Sequence, residues 1–105
     1  AVISGTFTPN VVSNVLVLVN TKSFGNAVNS AAIYSVTYNG TNQGTVCVWE
    51  QPGAAVANIT YAMGGYVWVP NVPASAGTVT LQVLQGGAGT VIISEARFQV
   101  LPFAA

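Results

Sequence analysis

The feature that most restricts this chain is a period of two in its apolar residues, repeated along its length and broken by glycine, proline and asparagine. From Gly77, the apolar Val79, Leu81 and Val83 alternate with Thr78, Thr80 and Gln82. A spacing of two sends successive side chains to opposite faces of an extended chain, so this segment is a strand with one face on a core and one in solvent. Beyond Gly86-Gly87-Ala88-Gly89, the residues Ile92, Ala96, Phe98 and Val100 share one face, with Glu95, Arg97 and Gln99 on the other. The two segments predict a hairpin closed by a short Gly-rich loop.

Similar strands recur upstream. Ala31 to Asn39 alternates Tyr34, Val36 and Tyr38 with Ser35, Thr37 and Asn39 and meets the Asn39-Gly40 turn signal, after which Gly44 to Glu50 carries Cys47 and Trp49. Asn14 to Asn20 differs, because Val15, Leu16, Val17, Leu18 and Val19 are apolar on both faces. It reads as a strand covered on two sides, with a neighbouring subunit as one candidate cover. Ile3 to Thr8, Val56 to Ala62 and Tyr66 to Val69 bring the expected number of strands to eight, the last halted by Pro70 and Pro73. No segment reads as a helix, since the Ala-rich pieces at 26–32 and 53–57 are short and lie beside Gly, Pro or β-branched neighbours. Short strands separated by Gly and Pro imply an all-β sandwich or closed barrel.

Length and composition narrow what such a fold does. The chain has 105 residues, enough for one domain with its own core, and no linker divides it. Only 4% of residues are charged, two basic against two acidic with no His, where an ordinary soluble domain has roughly 25%. A chain so nearly neutral lacks the field that draws proteins to nucleic acid or anionic lipid, and the self-repulsion that keeps copies apart. With 51% hydrophobic residues it is expected to associate with itself. Its longest apolar run, Val15 to Val19, falls far short of the ~20 residues of a spanning helix, so no membrane partner is expected. The segment Ala1 to Gly5 carries no basic or hydrophobic leader pattern. The lone Cys47 has no internal partner, which tilts the expectation towards synthesis in a reducing compartment.

The inventory of reactive groups is correspondingly thin. Without His, neither a Ser-His-Asp nor a Cys-His arrangement can be assembled, and Cys47 reads as a small buried hydrophobe. Cys47, Glu50 and Glu95 match no zinc or calcium spacing, so no metal and no cofactor is expected. Glu50 and Glu95 are the one pair able to flank a glycosidic bond, but Glu95 stands two residues from Arg97 on the same strand face and reads first as a solvated ion pair. Lys22, placed in a loop over 21–25, is a poor base for the adjacent Ser23. No catalytic residue is expected. Gly64-Gly65 and Gly86-Gly87 open no helix and read as turns. Trp49, Tyr66 and Trp68 could form a platform for carbohydrate, although core or subunit-contact use fits them better. Asn39-Gly40-Thr41 and Asn58-Ile59-Thr60 match the glycosylation sequon.

The last third of the chain resembles a known family. Val72-Pro73-Ala74-Ser75-Ala76-Gly77-Thr78-Val79-Thr80-Leu81-Gln82-Val83, the Gly-rich connection, Thr90-Val91-Ile92-Ile93-Ser94 and Arg97-Phe98-Gln99-Val100-Leu101-Pro102-Phe103 resemble the closing strands of tumour-necrosis-factor-like jelly rolls found in phage virions and on bacterial spore surfaces. The resemblance covers roughly residues 72–103. It implies a single eight-stranded antiparallel jelly-roll β-sandwich over residues 1–105, a homotrimer, and no catalytic residues. No collagen-like stem precedes the domain in this sequence, which fits a stand-alone module such as a capsid decoration, or cement, protein.

The expectation is therefore a non-enzymatic structural protein of the virion surface, its partners its own copies and a major capsid protein or other lattice protein. A subunit of an extracellular filament or of a spore or cell-surface layer is the alternative, and a carbohydrate-binding module a weaker one. The candidate interface residues are Ile3, Phe7, Val15, Val17, Val19, Trp49, Tyr66 and Trp68. Residues 1–10 read either as an extended N-terminal arm reaching a neighbour or as the first strand of the sandwich, because Gly5 interrupts the alternation and Pro9-Asn10 allows a change of direction.

Overall fold

A computed structural model of the chain describes residues 2–50 and 60–105. Seven strands, β1 (Ile3–Phe7), β2 (Ser13–Gly25), β3 (Ser30–Tyr38), β4 (Thr41–Glu50), β5 (Tyr61–Val72), β6 (Gly77–Gly87) and β7 (Val91–Ala104), form two antiparallel sheets. One has the order β1-β6-β3-β4 and the other β5-β2-β7. The sheets face each other across a core of Val15, Val17, Val19, Val67, Val69 and Val72 on one side and Ala32, Tyr34, Val36, Cys47, Trp49, Val79 and Leu81 on the other. The expected two-sheet antiparallel sandwich is therefore present, with seven described strands rather than eight.

Two expected strands are one. β5 continues from Tyr61 through Gly64-Gly65 and across Pro70 to Val72, so the expected break between Ala62 and Tyr66 does not occur, and Val56 to Ile59 lie outside the described residues. Pro70 is tolerated because β5 is an edge strand, bonded among the described residues to β2 alone, and the missing N–H interrupts no second described ladder. Gly65 has a positive use in the same strand. A Cβ there would collide with the carbonyl oxygen of Val46 in β4, so glycine lets the facing edges of the two sheets close on each other. Lys22 is likewise a strand residue, since β2 runs on to Gly25 where a loop was expected.

Among the described strands, only β3 and β4 are consecutive partners. Asn39 and Gly40 sit at φ 49° and 83°, the left-handed pair that a two-residue hairpin turn requires, and the expected turn is confirmed. The hairpin expected of β6 and β7 is not: β6 pairs with β1 and β3, whereas β7 crosses to pair with β2. Period two is blind to this distinction, because a strand in either sheet buries alternate side chains in the same core. Backbone geometry at the crossing makes the choice. Gly87 and Gly89 adopt φ 68° and 72°, and Asn26 donates its backbone N–H to the Thr90 carbonyl (3.1 Å) while its Oδ1 accepts the Thr90 N–H (2.8 Å), which starts β7 beside the end of β2.

β1 lies on β6 from Ile3↔Leu81 to Phe7↔Gly77, so of the two readings of residues 1–10 this chain adopts the first-strand one. Ile3 and Phe7 pack against the core, and Phe7 meets Tyr38 edge-on at 6.2 Å.

Candidate interaction surface

β2 is the middle strand of its sheet and its side chains divide cleanly. Val15, Val17, Val19, Thr21 and Ser23 point inward and are buried. Val15, Val17 and Val19 were expected at an interface, but they belong to this chain's own core, facing the opposite sheet. The outward half of the same run is what remains available: Leu16 stands between Trp68 of β5 and Leu101 of β7, and Leu18 between Tyr66 and Gln99. Phe103, opposite Asn14, reaches over β2 to within 5.7 Å of the Trp68 ring. Tyr66, Trp68 and Phe103 are 61%, 50% and 51% exposed, so an uncovered apolar band crosses all three strands. Bands of this kind on soluble domains mark contact sites more often than scattered exposed leucines do.

The band is bounded by charge on one side. Two residues beyond Leu18, Asn20 lies between Gly64 and Arg97, and two further on Lys22 lies between Ala62 and Glu95. Arg97 donates to Glu95, and Lys22 Nζ stands 3.7 Å from the other carboxylate oxygen. The hydrogen bond from Arg97, its charge, and the more distant Lys22 hold the Glu95 carboxyl below its ordinary value, while Arg97 is raised by the same contact. All three groups are exposed, and such a pair contributes little to folding. The expected Glu95/Arg97 ion pair is present, and three of the chain's four charges are gathered here.

The fourth, Glu50, is on the opposite side of the molecule, on the outward face of β4. Glu50 and Glu95 therefore lie on opposite outer faces of the sandwich and cannot flank one glycosidic bond. Next to Glu50 on its own face, Val48 pairs with Ile33 and Ile33 with Leu84, the outer two 49% and 65% exposed.

Trp49 does not join Tyr66 and Trp68. Its side chain points inward from β4, stacks on Tyr61 at 4.9 Å and 13°, and donates its indole N–H to Ser23 Oγ at 2.8 Å. Ser23 also accepts the Tyr34 hydroxyl at 2.9 Å, so one small side chain satisfies two buried donors. Cys47 is buried nearby; burial pushes its thiol up from an ordinary 9.0, with the Thr21 hydroxyl opposing. Asn39 of the first sequon sits in the hairpin turn, its Oδ1 accepting from the Thr78 N–H at 2.9 Å, and Asn58 of the second lies outside the described residues.

Of the eight candidate interface residues, the structure thus leaves two, Tyr66 and Trp68, open and side by side. Leu16, Leu18, Leu101 and Phe103 were missed, as were Ile33, Val48 and Leu84. The signal was present in part: Leu16 and Leu18 are apolar at positions where alternation calls for polar ones. Comparison of the chain with protein-family models, curated proteins and solved structures returns no match.

Proposed function

We propose that this protein is a non-enzymatic structural subunit that assembles through the outer face of β5-β2-β7 into a protein lattice, in the first instance as a decoration protein on a virion capsid. The observation that carries the reading is the uncovered band of Leu16, Leu18, Tyr66, Trp68, Leu101 and Phe103, broad enough to serve as the apolar centre of a contact. Two further points support it. The chain's one candidate carboxylate pair is split between opposite faces. Its near absence of charge lets many copies pack closely without repulsion. Attachment at many equivalent lattice points would then accumulate affinity that no single contact supplies. The resemblance of the β6 and β7 sequences to jelly rolls of virions and spore surfaces points to the same class of protein.

The second reading, a subunit of an extracellular filament or surface layer, is favoured by one specific observation: the opposite sheet carries its own apolar row, half-buried Ile33 between the exposed Val48 and Leu84. Immunogold electron microscopy of material from the producing organism separates these readings. Label in a regular array on virions supports the first, label on filaments or envelopes the second, and diffuse label on unassembled protein would overturn both.

A further inference from the structure

The two flanks of the sandwich differ. On one, the edge strands β4 and β5 close on each other, through the near approach of Gly65 to the Val46 carbonyl and the stacked rings of Trp49 and Tyr61. On the other, β7 has β2 on one side and, among the described residues, no strand on its second side. Its inward row records the difference: Val91, Ile93, Ala96, Phe98 and Val100 are half-buried, whereas the inward residues of β2, flanked on both sides, are buried. Unpaired N–H and C=O groups beside half-covered apolar side chains make a template for another strand. β6 shares this flank and pairs with β1 only as far as Leu81, which leaves Gln82 to Gly87 with no second described ladder.

We propose that the free edge of β7 pairs antiparallel with the β7 of a second copy of this chain, about a two-fold axis through Ala96. The residues of β7 choose both the occupant and the register. Ser94 is an extra residue in the strand, since Lys22 faces Glu95 and Ser23 faces Ile93, and its hydroxyl donates back to the Lys22 carbonyl at 3.0 Å. Counting Ser94 and Glu95 as one position keeps inward residues opposite inward ones. About Ala96, Phe98 then meets the partner's Ile93 and Val100 the partner's Val91, so the half-covered row is covered. On the outer side Arg97 falls opposite the partner's Glu95, twice, and Lys22, Glu95 and the partner's Arg97 alternate in sign across the joined sheet. An axis through Glu95 or through Arg97 opposes like charges instead. One through Phe98 sets Glu95 against Leu101 and brings Pro102, which has no N–H to give, into the ladder opposite Ile93. About Ala96 the ladder runs from Val91 to Val100 and ends before Pro102. The exposed charges fix this register, while main-chain bonds and apolar cover supply the strength.

The other sheet fits the same axis. Ile3 and Ser4 line one cleft of about 220 Å³ with Ala96, Arg97 and Phe98, so Ala96 is level with the Ile3 end of β1. β1 lies to one side of that level and the unpaired part of β6 to the other. A two-fold turns the second copy end for end, which brings each β1 level with the unpaired part of the other copy's β6. About 30 Å of a flank 18 Å deep gives on the order of 540 Å² per copy, and twice that clears the ~1,000 Å² of a specific interface. The contact is isologous and uses itself up in a dimer. Both copies keep the outer face of β5-β2-β7 uncovered and on the same side.

This inference goes beyond the lattice reading and does not depend on it, and it is tested on the isolated protein by sedimentation velocity over a range of concentrations. Wild type is expected to pass from monomer to dimer and stop there. Arg97→Glu and Glu95→Arg, both on the outer face and each checked by its circular-dichroism melt, should each weaken the dimer about tenfold alone and recover it when mixed, because the mixture again sets opposite charges across the axis. Ala96→Cys should form an intermolecular disulfide under mild oxidation, since residues opposed in antiparallel strands have Cα atoms ~4.5–5.5 Å apart. Gln99→Cys should not, because it faces the partner's Ile92 rather than its own copy. If Ala96→Cys fails to fold, Ile92→Cys with Gln99→Cys in one chain serves in its place. A wild type that stays monomeric at high micromolar concentration, growth beyond a dimer, no recovery on mixing, or cross-linking through Gln99→Cys as fast as through Ala96→Cys would overturn the pairing. None of those outcomes would touch the microscopy that tests assembly on a larger lattice.

Discussion

Ser23 lies on the inward face of β2 beyond Val15, Val17, Val19 and Thr21, and it is buried as completely as the valines are. Its hydroxyl is there because Tyr34 and Trp49 bring a phenol and an indole N–H into the core, and buried donors without acceptors are costly. Ser23→Ala should therefore destabilise by about 2–6 kcal/mol, from two orphaned donors at roughly 1–3 kcal/mol each. Urea denaturation checks this, and a loss under ~1 kcal/mol would show that water or rotamer change replaces the serine. Cys47 makes a pH prediction. Its thiol is raised by burial above 9.0, so below that value both folded and unfolded chains keep the proton and the group contributes nothing. Above it the unfolded chain ionises first, and stability falls as pH rises. Cys47→Ala should flatten the alkaline limb of the melting-temperature profile, and an unchanged limb would refute the assignment.

At the scale of elements, β2 organises the molecule, pairing along its length with both β5 and β7 while its alternate residues build the core. Its double-sided apolarity has two different uses. One side makes the fold, and the other makes a surface. Val17→Asp places an unpaired charge where nothing is exposed, which exceeds several kcal/mol and should prevent folding of a domain this size. Thr80→Asp, on the outward face of β6, should change stability by no more than about 0.5 kcal/mol. Comparable soluble yields and melting temperatures for the two would contradict the assignment of Val17 to the core. Strand existence was largely readable from period two, and the β3–β4 turn from Asn39-Gly40. The merger of two expected strands into β5 was not, since whether Gly64-Gly65 turns or continues depends on the facing backbone of β4, far away in sequence.

For the whole molecule, the near absence of charge has a measurable consequence. The ion pairs at Lys22, Glu95 and Arg97 are exposed, so the fold rests on apolar burial and on backbone ladders. The melting temperature of dilute monomer should shift by no more than about 2 °C when ~1 M sodium chloride shortens the screening length to ~3 Å, whereas a charge-stabilised fold would respond strongly. Calorimetry at two salt concentrations decides it. The sequence by itself determined the class of this protein: alternation, turn residues and the lack of His and charge specify antiparallel strands around one core and leave little reactive chemistry. Those are local properties, written in neighbours one or two residues apart. Only the tertiary structure decided which strands share a sheet, that β7 leaves β6 for β2, and that Val15, Val17 and Val19 turn inward while Leu16 and Leu18 face out beside Trp68 and Phe103. Period two gives each strand two faces but does not say which of two apolar faces meets the core. That choice is made by pairing between residues up to 91 positions apart, as for Ser13 and Ala104, and local pattern carries no record of it.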